Sequence, residues 1–286
     1  EGGVPCAASD AVSTLAEARA FAERVGYPLI LKPRDGAGAS GASRVDSDAE
    51  LVAAARALHL GDRSVAIEEF IEGHEGFFDS LTLKGQIVHE FACHYYPNVL
   101  EAMRTRWISP QFIATNRIGV ADGYREIKAM AARVIELLGI ETSATHMEWF
   151  FGPKGLKFSE IGCRPPGVRA WDLYNVANDM DLYKEWGMLL LAGRPSQRPS
   201  RRFSAGIIAL RPDRDGRITH YDGLDEIRHA FGEWLIDWHT PSPGTPTQGV
   251  EAGYMANAWI RLKHPNYDHL RHMLDTVGQT VKVRAS

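Results

Sequence analysis

The sequence predicts an α+β protein of roughly two domain-sized units, and three observations predict it. Strand-like and helix-like runs mix without a strict βαβ order, which argues against a doubly wound parallel sheet. Two pairs of short apolar runs flank Gly-containing turns, as hairpins do. The 286 residues are 44% hydrophobic, which suits a chain with a real core.

The elements follow in order. Thr14-x-x-Glu17 reads as a capping box, with Leu15, Ala18, Phe21, Ala22 and Val25 at helical spacing and Gly26 to end the helix. Residues 27–33 read as a short buried strand closed by Pro33. Gly36-Ala-Gly38-Ala-Ser40-Gly41 is a small-residue loop. Ser47-x-x-Glu50 reads as a second capping box, with a helix after it to about Leu58, and Val65–Phe70 reads as a strand. Leu81–Leu83 and Ile87–Ala92 predict a hairpin around Lys84-Gly85. A helix is expected over 122–138, stopped by Gly139. Thr145–Phe151 and Leu156–Ile161 predict a second hairpin, turning at Pro153-Lys154-Gly155. Trp171 to about Leu191 reads as mostly helical, and residues 192–200 as a linker. Beyond it, Phe203–Arg211 and Arg217–Tyr221 alternate as strands, and a last helix runs near Tyr267–Val277.

Composition excludes several classes. A net charge of -4, with Lys and Arg dispersed, gives no basic footprint for nucleic acid. No apolar run approaches the ~20 residues of a membrane span. Residues 1–20 lack the basic and apolar regions of a signal peptide. Cys6, Cys93 and Cys163 are odd in number and far apart, so they form neither a disulfide framework nor a CxxC site. Each reads as a small buried residue, and the cytoplasm is the expected compartment.

Three features carry chemistry. Glu148 and Glu160 are symmetric about Lys154. If the turn is Pro153-Lys154-Gly155 they face each other at a Cβ spacing of about 4.5–5.5 Å, where like charges destabilise unless a cation lies between them. Carboxylates with phosphate oxygens and water suit Mg²⁺; the alternative is one buried and one solvated glutamate. Lys32 ends an apolar strand just before the Gly-rich loop, whose N–H groups can cradle an anion; an edge lysine and a plain turn are the competing reading. That loop is neither a P-loop nor a complete dinucleotide fingerprint. In Ile67-Glu-Glu-Phe-Ile-Glu-Gly-His-Glu75 a strand runs into a Gly-containing bend, freeing backbone groups for a ligand edge; otherwise it is a solvated acidic loop.

In this order, the features resemble the ATP-grasp superfamily. The likeness rests on residues 26–33, the 36–41 loop, Ile67–Glu75, His146-Met-Glu-Trp-Phe150 and Phe158-Ser-Glu-Ile-Gly-Cys-Arg-Pro-Pro-Gly167, and covers about residues 1–190. It implies a two-lobe fold: a small ATP-binding lobe over 1–75, a large lobe with a metal site over 76–195, and a small β-rich C-terminal subdomain over 196–286. The resemblance implies that Lys32 grips the α- and β-phosphates and that Gly36, Gly38, Ser40 and Gly41 belong to the flap above them. Glu69 and Ile71 would meet adenine through their backbone, with Glu68 near its amino group and Glu75 on the ribose. Glu148 and Glu160 would hold Mg²⁺, with Mn²⁺ as a substitute, and Arg164 would face the transferring phosphoryl group.

The implied activity is that of an ADP-forming ligase acting on small-molecule carboxylate and amine substrates, similar to L-amino-acid ligases and formate-dependent glycinamide ribonucleotide transformylase. Neither a nucleic-acid nor a membrane partner is expected; a homodimer is compatible. Two departures are visible. Gly162 stands where the family often has an Asn ligand, and the N-terminal domain usual before the ATP-grasp region is expected to lie outside this sequence. Alternatives are a nucleotide-binding module without turnover of its own and a carboxylase-type subunit.

Overall fold

The computed structural model describes residues 2–35, 41–253 and 255–286. They divide into two compact units. The first comprises Pro5–Gly73 and Phe150–Ser159; the second holds His74–Trp149 and Glu160–Ser286, with the residues before Pro5.

The first unit contains β1 (Ser9–Val12), α1 (Leu15–Val25), β2 (Leu29–Pro33), β3 (Ser43–Val45), α2 (Asp48–Ala57) and β4 (Val65–Glu69). Its sheet is antiparallel with strand order β1-β4-β2-β3. The Thr14 box forms as expected, with Thr14 Oγ1 accepting from the Glu17 N–H and the Glu17 carboxylate accepting from the Thr14 N–H. The second box is shifted. Ser47 accepts from the Glu50 N–H, but Glu50 reaches past it to the Asp46 N–H at 2.9 Å. Leu29 and Leu31 of β2 point into the core while Ile30 and Lys32 are half-buried, the period-2 pattern of a strand with one covered face. Helix α1 turns Ala18, Phe21 and Ala22 onto the same cluster; a fully buried Phe contributes about 1.5–3 kcal/mol.

The second unit follows from β5 (His74–Leu83) and β6 (Gln86–Tyr96) through α3 (Val99–Ala102), β7 (Gln111–Ala114), α4 (Arg125–Leu137), β8 (Ser143–Gly152), β9 (Gly155–Gly162), α5 (Ala170–Asn178) and α6 (Leu182–Ala192). It continues with β10 (Ser204–Leu210), β11 (Ile218–Asp222), α7 (Leu224–Phe231), β12 (Leu235–His239), β13 (Ala258–His264), α8 (Tyr267–Thr280) and β14 (Lys282–Ala285). An eight-stranded sheet has the order β12-β13-β10-β7-β6-β5-β8-β9, and β11 pairs with β14 apart from it. Residues 196–286, read from the sequence as a subdomain, thus give β10, β12 and β13 to the sheet that holds β5–β9. Among the described residues no helix is long and apolar enough to cross a membrane.

Several elements differ from their expected form. The β5–β6 hairpin is much longer than its apolar residues suggest, because β5 buries Glu75, Asp79, Ser80 and Thr82. Its turn places both Lys84 and Gly85 at positive φ, as a two-residue type I′ connection requires. Gly155 begins β9, so the second hairpin turns on Pro153-Lys154 alone and Lys154 is not its centre of symmetry; the expectation that Glu148 and Glu160 stand directly opposite rested on the longer turn and falls with it. The expected helix over 171–191 breaks where Asp179 takes a left-handed conformation and Asp181 caps α6 through the Lys184 N–H at 3.0 Å. Strand β10 does not alternate, being buried along its whole length. Ala205 and Ile207 serve one core cluster and Ile208 and Leu210 the other. The 192–200 segment is anchored, since fully buried Glu185 accepts from the Ser196 N–H at 3.0 Å and from His89 at 2.8 Å. Cys93 is buried as expected, but Cys6 and Cys163 are exposed.

Candidate functional site

In the first unit the candidates gather where β2 and β4 lie side by side. Ile30 is opposite Glu68 and Lys32 opposite Ala66, so Lys32 and Glu68 are diagonal neighbours on one face. Lys32 Nζ lies 2.9 Å from Glu68 Oε2. Glu69 is held by its surroundings. Its carboxylate receives the Lys154 ammonium and the Ala8 N–H at 3.2 Å, and the Lys154 bond keeps it below the usual carboxylate range. The Glu69 N–H goes to the Ala8 carbonyl at 2.8 Å, whereas the Ile71 N–H has no partner among the described residues. Gly36, Gly38 and Ser40 lie outside the described residues. Gly41 has φ +73°, and a Cβ there would meet the Pro33 ring at 3.0 Å.

Two glycines fix the approach of the hairpin tip to the end of this segment. A Cβ on Gly152 would lie 1.9 Å from the Glu72 carbonyl oxygen, and one on Gly73 would lie 2.5 Å from the Phe151 carbonyl oxygen. Backbone meets backbone there, and only glycine leaves room.

In the second unit, the second residue of β5 is Glu75, which is 5% exposed. Its Oε2 accepts from the Val99 N–H at 2.6 Å, and its own N–H donates to Asn98 Oδ1 at 3.1 Å. Burial first, then the charge of Glu148, and to a smaller extent that of Glu160, push this carboxyl up to about 8 against the Val99 hydrogen bond. Glu148, half-buried on β8, and Glu160, exposed on β9, both act electrostatically on Glu75. The three sequence-derived acids are therefore drawn into one electrostatic neighbourhood of the unit. Arg164 is exposed and donates to the Pro165 carbonyl at 2.9 Å. Val168 and Arg169, just beyond, both have positive φ, an uncommon state that is a genuine outlier for a β-branched residue.

A buried chain behind Glu148 escaped sequence reasoning. His146 Nδ1 is 2.6 Å from Asp79 Oδ1, and its Nε2 is 3.6 Å from Glu148 Oε1. Tyr174 donates to the other Asp79 oxygen, and Cys93 Sγ is 3.3 Å from Tyr174 Oη. Burial pulls the His146 imidazole down, but Asp79 and Glu148 outweigh it and raise it to about 10. The available signal was His146-x-Glu148, which puts both side chains on one face of a strand. Among the described residues no group of three or more His, Cys, Asp or Glu is arranged to hold a metal by itself. The local donors are carboxylate oxygens, the type that suits a hard cation completed by ligand oxygens.

Comparison with known proteins identifies the family. The ATP-grasp domain model matches residues 1–173, and the chain belongs to the ATP-grasp family. Among curated proteins it is 25% identical over 257 residues to the uncharacterized protein y4rH of Sinorhizobium fredii, covering 85% of this chain and 50% of that protein. It is 28% identical over 140 residues to a D-alanine–D-alanine ligase of Stutzerimonas stutzeri, covering 48% of this chain and 43% of the ligase. The chain thus spans about half the length of these relatives or less. Among solved structures, an L-amino acid ligase from Bacillus licheniformis superposes with TM-score 0.77 at 18% identity, covering 100% of this chain and 69% of that one. An N5-carboxyaminoimidazole ribonucleotide synthetase from Thermotoga maritima gives TM-score 0.66 at 14% identity, covering 100% and 69%.

Proposed function

We propose that this chain is the Mg·ATP-binding part of an ADP-forming carboxylate–amine ligase. The observation that carries the reading is the placing of Glu148 and Glu160 on the neighbouring strands β8 and β9, from which both add their charge to the burial that lifts the Glu75 carboxyl to about 8. Acids whose charges act on one buried carboxyl fit a site meant to receive a cation. Glu148 and Glu160 would hold Mg²⁺ together with nucleotide oxygens, and the ion would neutralise charge on the phosphates. Lys32 would grip the α- and β-phosphates, exchanging Glu68 for them. The unspent Ile71 N–H and the Glu69 backbone would meet the adenine edge near Glu68, and Glu75 would face the ribose. Arg164 would face the transferring phosphoryl group.

The chemistry proposed is phosphoryl transfer followed by acyl transfer. A substrate carboxylate oxygen attacks the γ-phosphorus, the bond to the β-phosphate oxygen breaks, and acyl phosphate and ADP form. An amine then attacks the acyl carbon, a proton leaves the nitrogen, and inorganic phosphate departs. The protein's share is positioning and charge neutralisation. The D-alanine–D-alanine and L-amino acid ligases among its similar proteins support amino acids as substrates to try first.

The test is ADP release from the whole protein with Mg²⁺, ATP and a panel of amino acids offered singly and in pairs. Amino-acid-dependent ADP release that Glu148→Gln and Glu160→Gln abolish is expected. Tight Mg·ATP binding with no ADP release for any carboxylate would favour a nucleotide-binding module without turnover. Gly162, which offers no ligand beside Glu160, is the residue that favours that second reading.

A further inference from the structure

A cavity of about 310 Å³ opens beside β14 and the segment that leads into β7. Four cationic side chains line it, Arg106, Arg211, Lys282 and Arg284, with Asp213 as the acid in the wall. Arg284 pairs with Asp222 at 2.7 Å and with Asp213 at 3.5 Å, and Arg106 pairs with Asp215 at 2.5 Å, so four cations face three acids. Lys282 is exposed and donates to the Gly278 carbonyl at 3.1 Å, a neutral partner that leaves its charge in place. The Arg106 side chain is about a third exposed, so its guanidinium reaches the cavity while it pairs with Asp215. Trp107, 88% exposed, stands at the same wall and supplies apolar surface.

The cavity's place in the sheet is defined by register. Tyr96 pairs with Gln111 and Gln111 with Ile208, so the end of β10 that leads to Arg211 lies at the sheet end where β5 begins with His74 and Glu75. Three strand spacings separate β5 from β10, or about 14 Å. The cavity is therefore separate from the acidic neighbourhood of Glu75, and its charge has the opposite sign.

We infer that this cavity is a binding site for a small organic oxyanion, a carboxylate or phosphate ester whose acidic head meets Lys282 and Arg106. An apolar portion of the ligand lies against Trp107. The volume admits a molecule of amino-acid to sugar-phosphate size. The site stands whether or not the chain is a ligase, because none of its residues belongs to the proposed nucleotide site.

The experiment is calorimetric titration of the whole protein without nucleotide, in chloride buffer, with three probes: inorganic phosphate, glucose 6-phosphate and phenylpropionate. Saturable binding of at least one probe is expected, and the preferred probe tells a phosphate ligand from a carboxylate ligand. Lys282→Glu and Arg106→Gln should each weaken it on the order of tenfold, as the loss of one charged hydrogen bond implies. Both variants should melt within a few degrees of the parent. Trp107→Phe should remove the fluorescence change on binding while the melt is unchanged. No saturable binding of any of the three, or equal affinity in parent and both well-folded variants, overturns the inference.

Discussion

His146 and Asp79 are joined by a 2.6 Å hydrogen bond inside the large sheet, with 7% and 1% of their surfaces exposed. The imidazole also faces Glu148 at 3.6 Å, so a buried ion pair stands directly behind a proposed metal ligand. Asp79→Asn leaves the cation with Glu148 alone as counter-charge, and losing one partner of a buried pair costs about 3–5 kcal/mol. Urea unfolding at neutral pH checks this; an unchanged midpoint would mean that His146 is neutral in the parent.

The same pair predicts a pH dependence. His146 is raised from the ordinary 6.5 to about 10, so the folded state holds its proton more tightly than the unfolded chain does. The stabilisation is full below about 6.5 and is lost as pH rises through about 10. The fall in stability over that window should be shallower in His146→Gln, as read by urea midpoints at matched ionic strength.

Glu75 adds a lower window. Its carboxyl moves from the ordinary 4.5 up to about 8, so the folded state favours the protonated form. Its contribution is complete below about 4.5 and disappears as pH climbs through about 8. Glu75→Gln keeps an acceptor for the Val99 N–H and removes the titration. The variant should be more stable than the parent at pH 8.5, by about 1–3 kcal/mol, and near parity at pH 4.5. If Glu75 serves the ribose, the variant should also bind nucleotide more weakly.

Lys32→Ala separates ligand binding from stability. The Lys32–Glu68 pair is about a third exposed on each side, so its loss costs about 0–1 kcal/mol. ATP binding in Mg²⁺ buffer should weaken by about 1.5–3 kcal/mol, the loss of a charged hydrogen bond to phosphate. Lys32→Arg should restore it only in part, because a planar fork presents its donors differently from an ammonium. Unchanged ATP affinity in a folded Lys32→Ala protein would make Lys32 a plain strand-edge residue.

Gly152→Ala places a methyl 1.9 Å from the Glu72 carbonyl oxygen, which backbone movement alone can relieve. A loss of about 1–3 kcal/mol is expected, seen as a lower thermal midpoint. Gly155→Ala is a useful contrast: nothing lies within 4 Å of its Cβ position, so any loss there arises from φ +78°.

The small sheet was legible because local signals agree there: the Thr14 cap, the alternating burial of Leu29 and Leu31, and the Gly26 stop all act within a few residues. The large sheet was harder to read. Its strands bury Asp79, Thr82 and Gln111, and Arg261 of β13 is paired with Asp237 of β12, so apolar alternation fails where ion pairs and hydrogen bonds replace it. Strand β7, only four residues long, leaves almost no period to detect. At the site, Glu75, Glu148 and Glu160 stood out through motif order. His146 and Asp79 did not, because 67 residues separate them and only the fold brings them together.

The order in which the ribosome releases the chain runs against the order in which its sheets can close. Phe158 donates its N–H to the Pro5 carbonyl at 2.7 Å, so the opening segment waits for more than half of the chain to emerge before that bond can form. Strand β7 waits longer, since its partner on one side, β10, begins at Ser204. Until then Phe112 and Ile113, both fully buried in the finished sheet, lie on an open edge able to pair with any passing strand. Non-local pairing of this kind slows folding and prolongs exposure to aggregation. A recombinant chain cut at residue 195 should therefore collect in inclusion bodies, even though every acid of the proposed nucleotide site would still be present.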